Sequence, residues 1–165
     1  MEVRSLESSD REWADALVAQ HFGSPRVVSR GRLHDTAALP ALIAFQEDVP
    51  VGLLMYRVEG DECELVVLVS ERPREGIAIA LVHALVEHLR VSGCARAWLV
   101  TTNDNFGARS FYESLGWRLA AVHHGAVTRA RELKPEIPVF GENGVAIEDE
   151  LEYEFDVSRI TRAST

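Results

Sequence analysis

Cysteine, basic charge and long apolar runs are all scarce in this chain of 165 residues. Its two cysteines, Cys63 and Cys94, are too few to build a disulfide framework or a metal cluster by themselves, so a reducing cytoplasm is the expected setting. Seventeen Lys and Arg stand against 26 Asp and Glu, a net charge of −9, which excludes a general nucleic-acid binder and a peripheral protein of anionic membranes. The longest apolar run, residues 76–86, falls well short of the roughly 20 residues that cross a bilayer. The opening MEVRSLESSD has no apolar core of the kind a secretory signal carries. Glycine is also missing where nucleotide folds require it: there is neither a GK[ST] ending nor a three-glycine fingerprint. No pair of His, Cys or carboxylate residues has metal-ligand spacing, so no metal is expected.

What is present is 47% hydrophobic and 26% charged, the make-up of one soluble domain with a single core. That domain is expected over residues 1–157, with a tail at 158–165. Acidity is concentrated in residues 136–157, which hold eight carboxylates and no Lys or Arg. Either they form a solvated strand and loop, or they make an acidic rim that would suit a polyamine-like acceptor.

Periodicity gives the elements. Residues 1–8 read as a strand, with Ser8-Ser9-Asp10 suited to cap a helix over 12–22 whose Trp13, Leu17 and His21 or Phe22 share a face. Residues 24–35 are polar and basic, either a short helix or a mobile segment. Runs at 39–45, 51–58 and 62–69 are strands separated by Gln46-Glu47-Asp48 and Gly60-Asp61. Residues 76–90 form a helix, with Ile77, Leu81, Leu85 and Leu89 at four-residue steps and Gly93 as its stop. A strand at 95–102, a helix at 106–115, a strand at 118–122, a helical turn at 128–133 and a strand at 150–157 complete the chain. The fold class is therefore α/β: a mixed, mostly antiparallel central sheet flanked by helices, with one right-handed crossover making strands 62–69 and 95–102 parallel neighbours.

Two stretches carry chemistry. Arg72-Pro73-Arg74-Glu75-Gly76-Ile77-Ala78 joins a strand to a helix start, where unpaired N–H groups and the helix dipole favour phosphate oxygens. Its plainer reading is a turn with surface arginines. In Asn105-Phe106-Gly107-Ala108-Arg109-Ser110-Phe111-Tyr112, Asn105 is placed to cap the helix or to touch a ligand. Phe111 is expected in the core. Cys63 and Cys94 lack the positive surroundings that activate a thiolate.

Asn105-x-x-Ala108-x-x-Phe111-Tyr112-x-x-x-Gly116-Trp117 resembles the last core motif of the GNAT superfamily of acyl-CoA-dependent N-acetyltransferases. The loop is similar to that family's Q/R-x-x-G-x-G/A motif, and Val66-Val67-Leu68 matches the strand before it. Pro73 stands at the Q/R position, Arg74 where a glycine is common, and Ala78 at the final position. Residues 98–105, 123–127 and 133–138 resemble a bacterial subgroup whose substrates are mostly unassigned. The resemblance implies acetyl-CoA as co-substrate, lying where strands 62–69 and 95–102 splay apart. Its pantetheine would meet the backbone at Leu68 and Val69, and its pyrophosphate Arg74, Glu75, Gly76, Ile77 and Ala78, with Asn105 nearby. Glu64, then Glu62, is the implied general base for a primary amine, and Tyr112 the general acid and a further cofactor contact. His123 and His124 would stand at the acceptor end. The function implied is transfer of acetyl to a small-molecule amine. The alternative is an acyl-CoA-binding module without turnover. A homodimer through an open strand edge is compatible with the pattern.

Overall fold

The computed structural model describes residues 1–158. The tail expected at 158–165 lies, from residue 159 on, outside the described residues. Nine strands and four helices follow in the order β1 (Glu2–Ser5), α1 (Arg11–Phe22), β2 (Arg26–Ser29), β3 (Arg32–Asp35), β4 (Ala41–Gln46), β5 (Val49–Glu59), β6 (Glu62–Ser70), α2 (Ile77–Ser92), β7 (Arg96–Thr102), α3 (Phe106–Ser114), β8 (Arg118–His123), α4 (Ala126–Ala130) and β9 (Glu150–Asp156). Seven strands hydrogen-bond in the order β1-β4-β5-β6-β7-β9-β8, mostly antiparallel with one parallel pair, while β2 and β3 make a two-stranded sheet. No helix among the described residues is long and apolar enough to cross a membrane. Two compact units emerge among the described residues: 1–27, 35–97 and 156–158, and 28–34 with 98–155.

In the first unit, β4, β5 and β6 form an antiparallel meander with Ile43 opposite Leu53, and Leu53 opposite Val69. The turn between β4 and β5 is tight, with Glu47 and Asp48 both at positive φ (49° and 63°), the conformation that matches strand twist in a two-residue hairpin. Residues 51–56 of β5 are buried without a break, because both faces of the sheet are covered. On one face Ile43, Leu53, Met55, Val67 and Val69 cluster with Ala14, Leu17 and Val18 of α1. Of the face expected on α1, Leu17 is buried and Trp13 and Phe22 pack half-buried against this cluster, while His21, the alternative to Phe22, is exposed. Asp10 does not cap α1. Its carboxylate accepts from the Arg4 guanidinium at 2.7 and 3.1 Å and from the Glu7 N–H at 2.8 Å.

The opposite face of β5 meets α2, whose Ile77, Leu81, Val82, Leu85, Val86 and Leu89 are all buried. Each such side chain contributes about 1.5–3 kcal/mol by leaving water. The approach is closest at Gly52, where a Cβ would stand 2.4 Å from Ile77 Cγ2. Only glycine fits there. Gly93 at φ 81° ends the helix, as its position in the sequence suggests.

In the second unit β8 pairs antiparallel with β9, His123 opposite Glu150. Residues 24–35, expected as a short helix or mobile, are instead largely the β2–β3 hairpin. Its turn is Arg30-Gly31, both at positive φ (47° and 74°), so a glycine at the second turn position was the available signal. The helical turn expected at 128–133 is α4, which starts earlier at Ala126 and ends at Ala130. The irregular stretch after it is held by Arg131, whose guanidinium donates to the carbonyls of Ile137, Pro138 and Ile147. Asn103 performs the same task for residues 146–149, accepting at Oδ1 from the N–H of Glu148 and Asp149 and donating from Nδ2 to Ala146 O.

Candidate functional site

The site residues fall into three groups. The first runs from β6 to the start of α2. β6 carries a bulge: Met55 pairs with Val67 and Tyr56 with Leu65, so Val66 is an extra residue facing no partner on β5. A bulge bends its strand and breaks the ladder locally, which frees backbone groups from pairing. Glu64 lies just before it and is buried at 3% exposure, whereas Glu62 is exposed and pairs with Arg96 at 3.4 Å. Leu68 is half-buried and Val69 buried, two and three residues beyond the bulge.

After β6 the chain makes an exposed loop over residues 71–76. Arg72 is committed there: its guanidinium donates to Gln46 Oε1 at 2.8 Å and its carbonyl accepts from the Ser70 hydroxyl. Arg74 has no side-chain partner among the described residues. Arg74 and Gly76 both sit at positive φ (68° and 78°), bracketing Glu75. Gly76 is the residue before α2, and its carbonyl accepts from Ala80 N–H at 3.0 Å. The N–H groups of Ile77, Ala78 and Ile79 find no acceptor among the described residues. A left-handed turn leading into a helix start with three open donors is a suitable cradle for an anion.

The second group is α3. Asn105 caps it, its Oδ1 accepting from Ala108 N–H at 3.0 Å, so the sequence's two options resolve to the cap for that oxygen. Asn105 also borders a cavity of about 400 Å³ with Asp104, Phe106, Gly107, Glu142 and Asn143. Tyr112 is the buried residue of α3, at 6% exposure, while Phe111, expected in the core, is only half-buried. The reason is the aromatic neighbourhood. Tyr112 lies 5.0 Å from the Phe111 ring and 5.5 Å from Trp117, which in turn lies 5.7 Å from Phe155. Burial pushes the Tyr112 phenol well above its ordinary range, and no protein group among the described residues hydrogen-bonds its hydroxyl. It is a protonated, uncommitted O–H.

The third group was not visible as a unit in the sequence. Glu152 Oε1 takes the Arg30 guanidinium at 3.0 Å and His123 Nε2 at 3.0 Å. Glu150 Oε2 accepts from the Arg30 backbone N–H at 3.0 Å. Both carboxylates are buried, at 3% and 5% exposure, so the acidic stretch is not simply a solvated strand or an acidic rim. Burial raises the Glu150 carboxyl above the usual carboxylate range, against the pull of the Arg30 N–H, His123, Arg30 and Arg129. His123 borders a cavity of about 220 Å³ with Arg30, Gly31, Ala126 and Arg129. His124 does not: its side chain is 82% exposed, 3.4 Å from Asp149.

The cysteines are both free and buried. Burial pushes the Cys63 thiol to about 12 and also raises Cys94, so neither offers a thiolate near neutrality. Among the described residues no group of three His, Cys, Asp or Glu is arranged to hold a metal ion.

Residues 3–117 match the model of the acetyltransferase (GNAT) family. YdhI of Bacillus subtilis (strain 168), described only as an uncharacterised protein, is 37% identical over 134 residues, spanning 81% of this chain and 84% of that one. Among solved structures, a B. subtilis acetyltransferase in complex with CoA superposes with a TM-score of 0.69 at 17% identity, covering 94% of this chain and 97% of that one. The ribosomal-protein-S18-alanine N-acetyltransferase of Escherichia coli gives a TM-score of 0.65 at 19% identity, with 94% and 93% covered. At such identities the structural likeness is one of fold.

Proposed function

The chain belongs to the GNAT family of acetyltransferases, and from that premise we propose that it moves an acetyl group from acetyl-CoA to the primary amine of a small-molecule acceptor, residues 1–157 acting as one N-acetyltransferase domain. The observation that carries the donor half is the open helix start after β6. The N–H groups of Ile77, Ala78 and Ile79, with the left-handed backbone at Arg74 and Gly76, fit a pyrophosphate, and Arg74 has a guanidinium to spare. The backbone of Leu68 and Val69 would hold the pantetheine arm in the manner of an added strand. Two buried thiols suit a reducing cytoplasm.

The chemistry needs a neutral amine, and an alkyl ammonium has a pKa of about 10. Glu64 is the first candidate to take that proton and Glu62 the second. Glu64 is buried beside the bulge, whereas Glu62 is exposed and paired with Arg96, which favours Glu64. As the amine adds to the thioester carbonyl, a bulge N–H of β6 would meet the negative charge growing on oxygen. As the C–S bond of the adduct breaks, Tyr112 gives its proton to the departing thiolate, and the phenolate is reprotonated by the second proton that the adduct nitrogen sheds in becoming the amide. Its burial and its uncommitted hydroxyl support that role, because both keep a proton on the phenol until an anion forms beside it. Release of CoA thiol on mixing the protein with acetyl-CoA and a panel of primary amines tests the proposal. Release that depends on an amine supports it. Binding of acetyl-CoA without release for any amine would make the protein an acyl-CoA-binding module instead.

A further inference from the structure

The cavity of about 220 Å³ has an unusual lining for a chain of net charge −9: it holds Arg30, Arg129 and His123, and among the described residues no carboxylate borders it. These three side chains are not equally committed. Arg30 is held from two sides, its guanidinium by Glu152 and its backbone N–H by Glu150. His123 is held by the same Glu152 oxygen. Arg129 differs, because its guanidinium has no hydrogen-bond partner among the described residues. It folds back over Gly125, with Nη1 3.2 Å from the place a Cβ would take, and Gly125 is at φ 70°. The backbone there leaves room for this guanidinium beside the cavity.

The geometry points to this cavity as the seat of a carboxylate on the acceptor, with Arg129 as its anchor, so that the substrate is an amino-carboxylate rather than a polyamine. The inference rests on the acetyltransferase reading for the word acceptor, and on the cavity alone for the carboxylate. A planar guanidinium with free donors matches a carboxylate in two-point contact. Charge favours a monoanion over a dianion: Glu152 pairs with Arg30, and Glu150 is drawn to Arg30 and Arg129, so two buried carboxylates already stand against the two guanidiniums and would repel a doubly charged phosphate more than a carboxylate. A polyamine would meet Arg30, Arg129 and His123 with no carboxylate at the cavity wall. The acidic stretch that suggested a cationic acceptor therefore has the opposite use: its two buried glutamates orient cations toward an anion.

The test pairs the common amino acids with their decarboxylated amines, for example leucine with isoamylamine and phenylalanine with phenethylamine. Both kcat/KM for acetyl transfer and binding by calorimetry are read, in the wild type, Arg129→Gln and Arg129→Lys. Arg129 is exposed, so the variants are expected to keep the wild-type melting temperature. The expected result is a preference for at least one amino acid over its amine of about tenfold or more, lost in Arg129→Gln through KM and only partly restored in Arg129→Lys. Equal use of acids and amines, or a preference that Arg129→Gln leaves intact, overturns the assignment. If an amino acid binds in an Arg129-dependent way but no amine is ever acetylated, the carboxylate site stands and the acetyltransferase reading fails.

Discussion

The stretch from β6 into α2 and the cluster around β9 both prepare binding groups, but from different material. The first offers backbone: a bulge at Val66, two left-handed residues and three open N–H groups, all within residues 62–79. The second offers side chains drawn from far apart, Arg30 reaching Glu150 across 120 positions of sequence. A backbone site tolerates changes of side chain, which is how Pro73 and Arg74 can stand where other residues are common. A side-chain site has no such freedom, since Arg30, His123, Glu150 and Glu152 each satisfy another member.

Five substitutions put that contrast to work, from the largest expected effect to the smallest. Tyr112→Phe removes the proposed proton donor while keeping the aromatic packing, so kcat should fall by about 100-fold with acetyl-CoA affinity unchanged. Stopped-flow or steady-state thiol release reads it, and unchanged turnover would remove Tyr112 from the mechanism. Gly52→Ala forces a methyl against Ile77 at the root of the phosphate cradle. It should cost about 1–3 kcal/mol in urea unfolding and weaken acetyl-CoA binding together, because cradle and core share that contact. Loss of stability without loss of affinity would separate the two. Glu152→Gln leaves Arg30 and His123 without their shared anion, at a cost of about 1–2 kcal/mol, and should not touch acetyl-CoA affinity measured by calorimetry.

The smallest effects are in the pH dependence of stability, where the corner between β1 and α1 and the cluster around β9 should show opposite signs. Arg4, followed by the Glu7 N–H, holds the Asp10 carboxyl below its ordinary range. The stability Asp10 contributes is therefore present above the unfolded pKa and lost as pH falls through the lowered folded value. Asp10→Asn should be weaker than wild type at neutral pH and converge with it in acid. Burial raises the Glu150 carboxyl, so its contribution is present below the unfolded pKa and lost as pH rises through the raised value. Relative to wild type, Glu150→Gln should thus gain as pH rises. Urea midpoints across about pH 3 to 7 read both trends.

The same contrast explains how much could be read in advance. The meander and α2 were legible because Ile77, Leu81, Leu85 and Leu89 repeat at helical steps and the β4–β5 and β5–β6 turns declare themselves with Glu47-Asp48 and Gly60-Asp61. The loop before α2 and Tyr112 were legible as motif positions. Arg30, Arg129, Glu150 and Glu152 were not, since nothing in a local window says that a hairpin turn and a late strand share a carboxylate. Phe111, expected in the core, is only half-buried, while Tyr112 is buried with its ring against that of Trp117, five residues on. Asp10 was lost as a cap because Arg4 competes for it. In each case a contact outside the local period decided the outcome.

The central claim is that the chain still binds the donor through a loop whose side chains depart from the usual pattern. Calorimetric titration of the protein with acetyl-CoA, in the absence of any acceptor, tests it most directly. The account predicts one site per chain with a dissociation constant of about a micromolar, on the order of 8 kcal/mol. No heat and no thermal stabilisation at about millimolar acetyl-CoA would contradict it, leaving a GNAT fold that has lost its donor site.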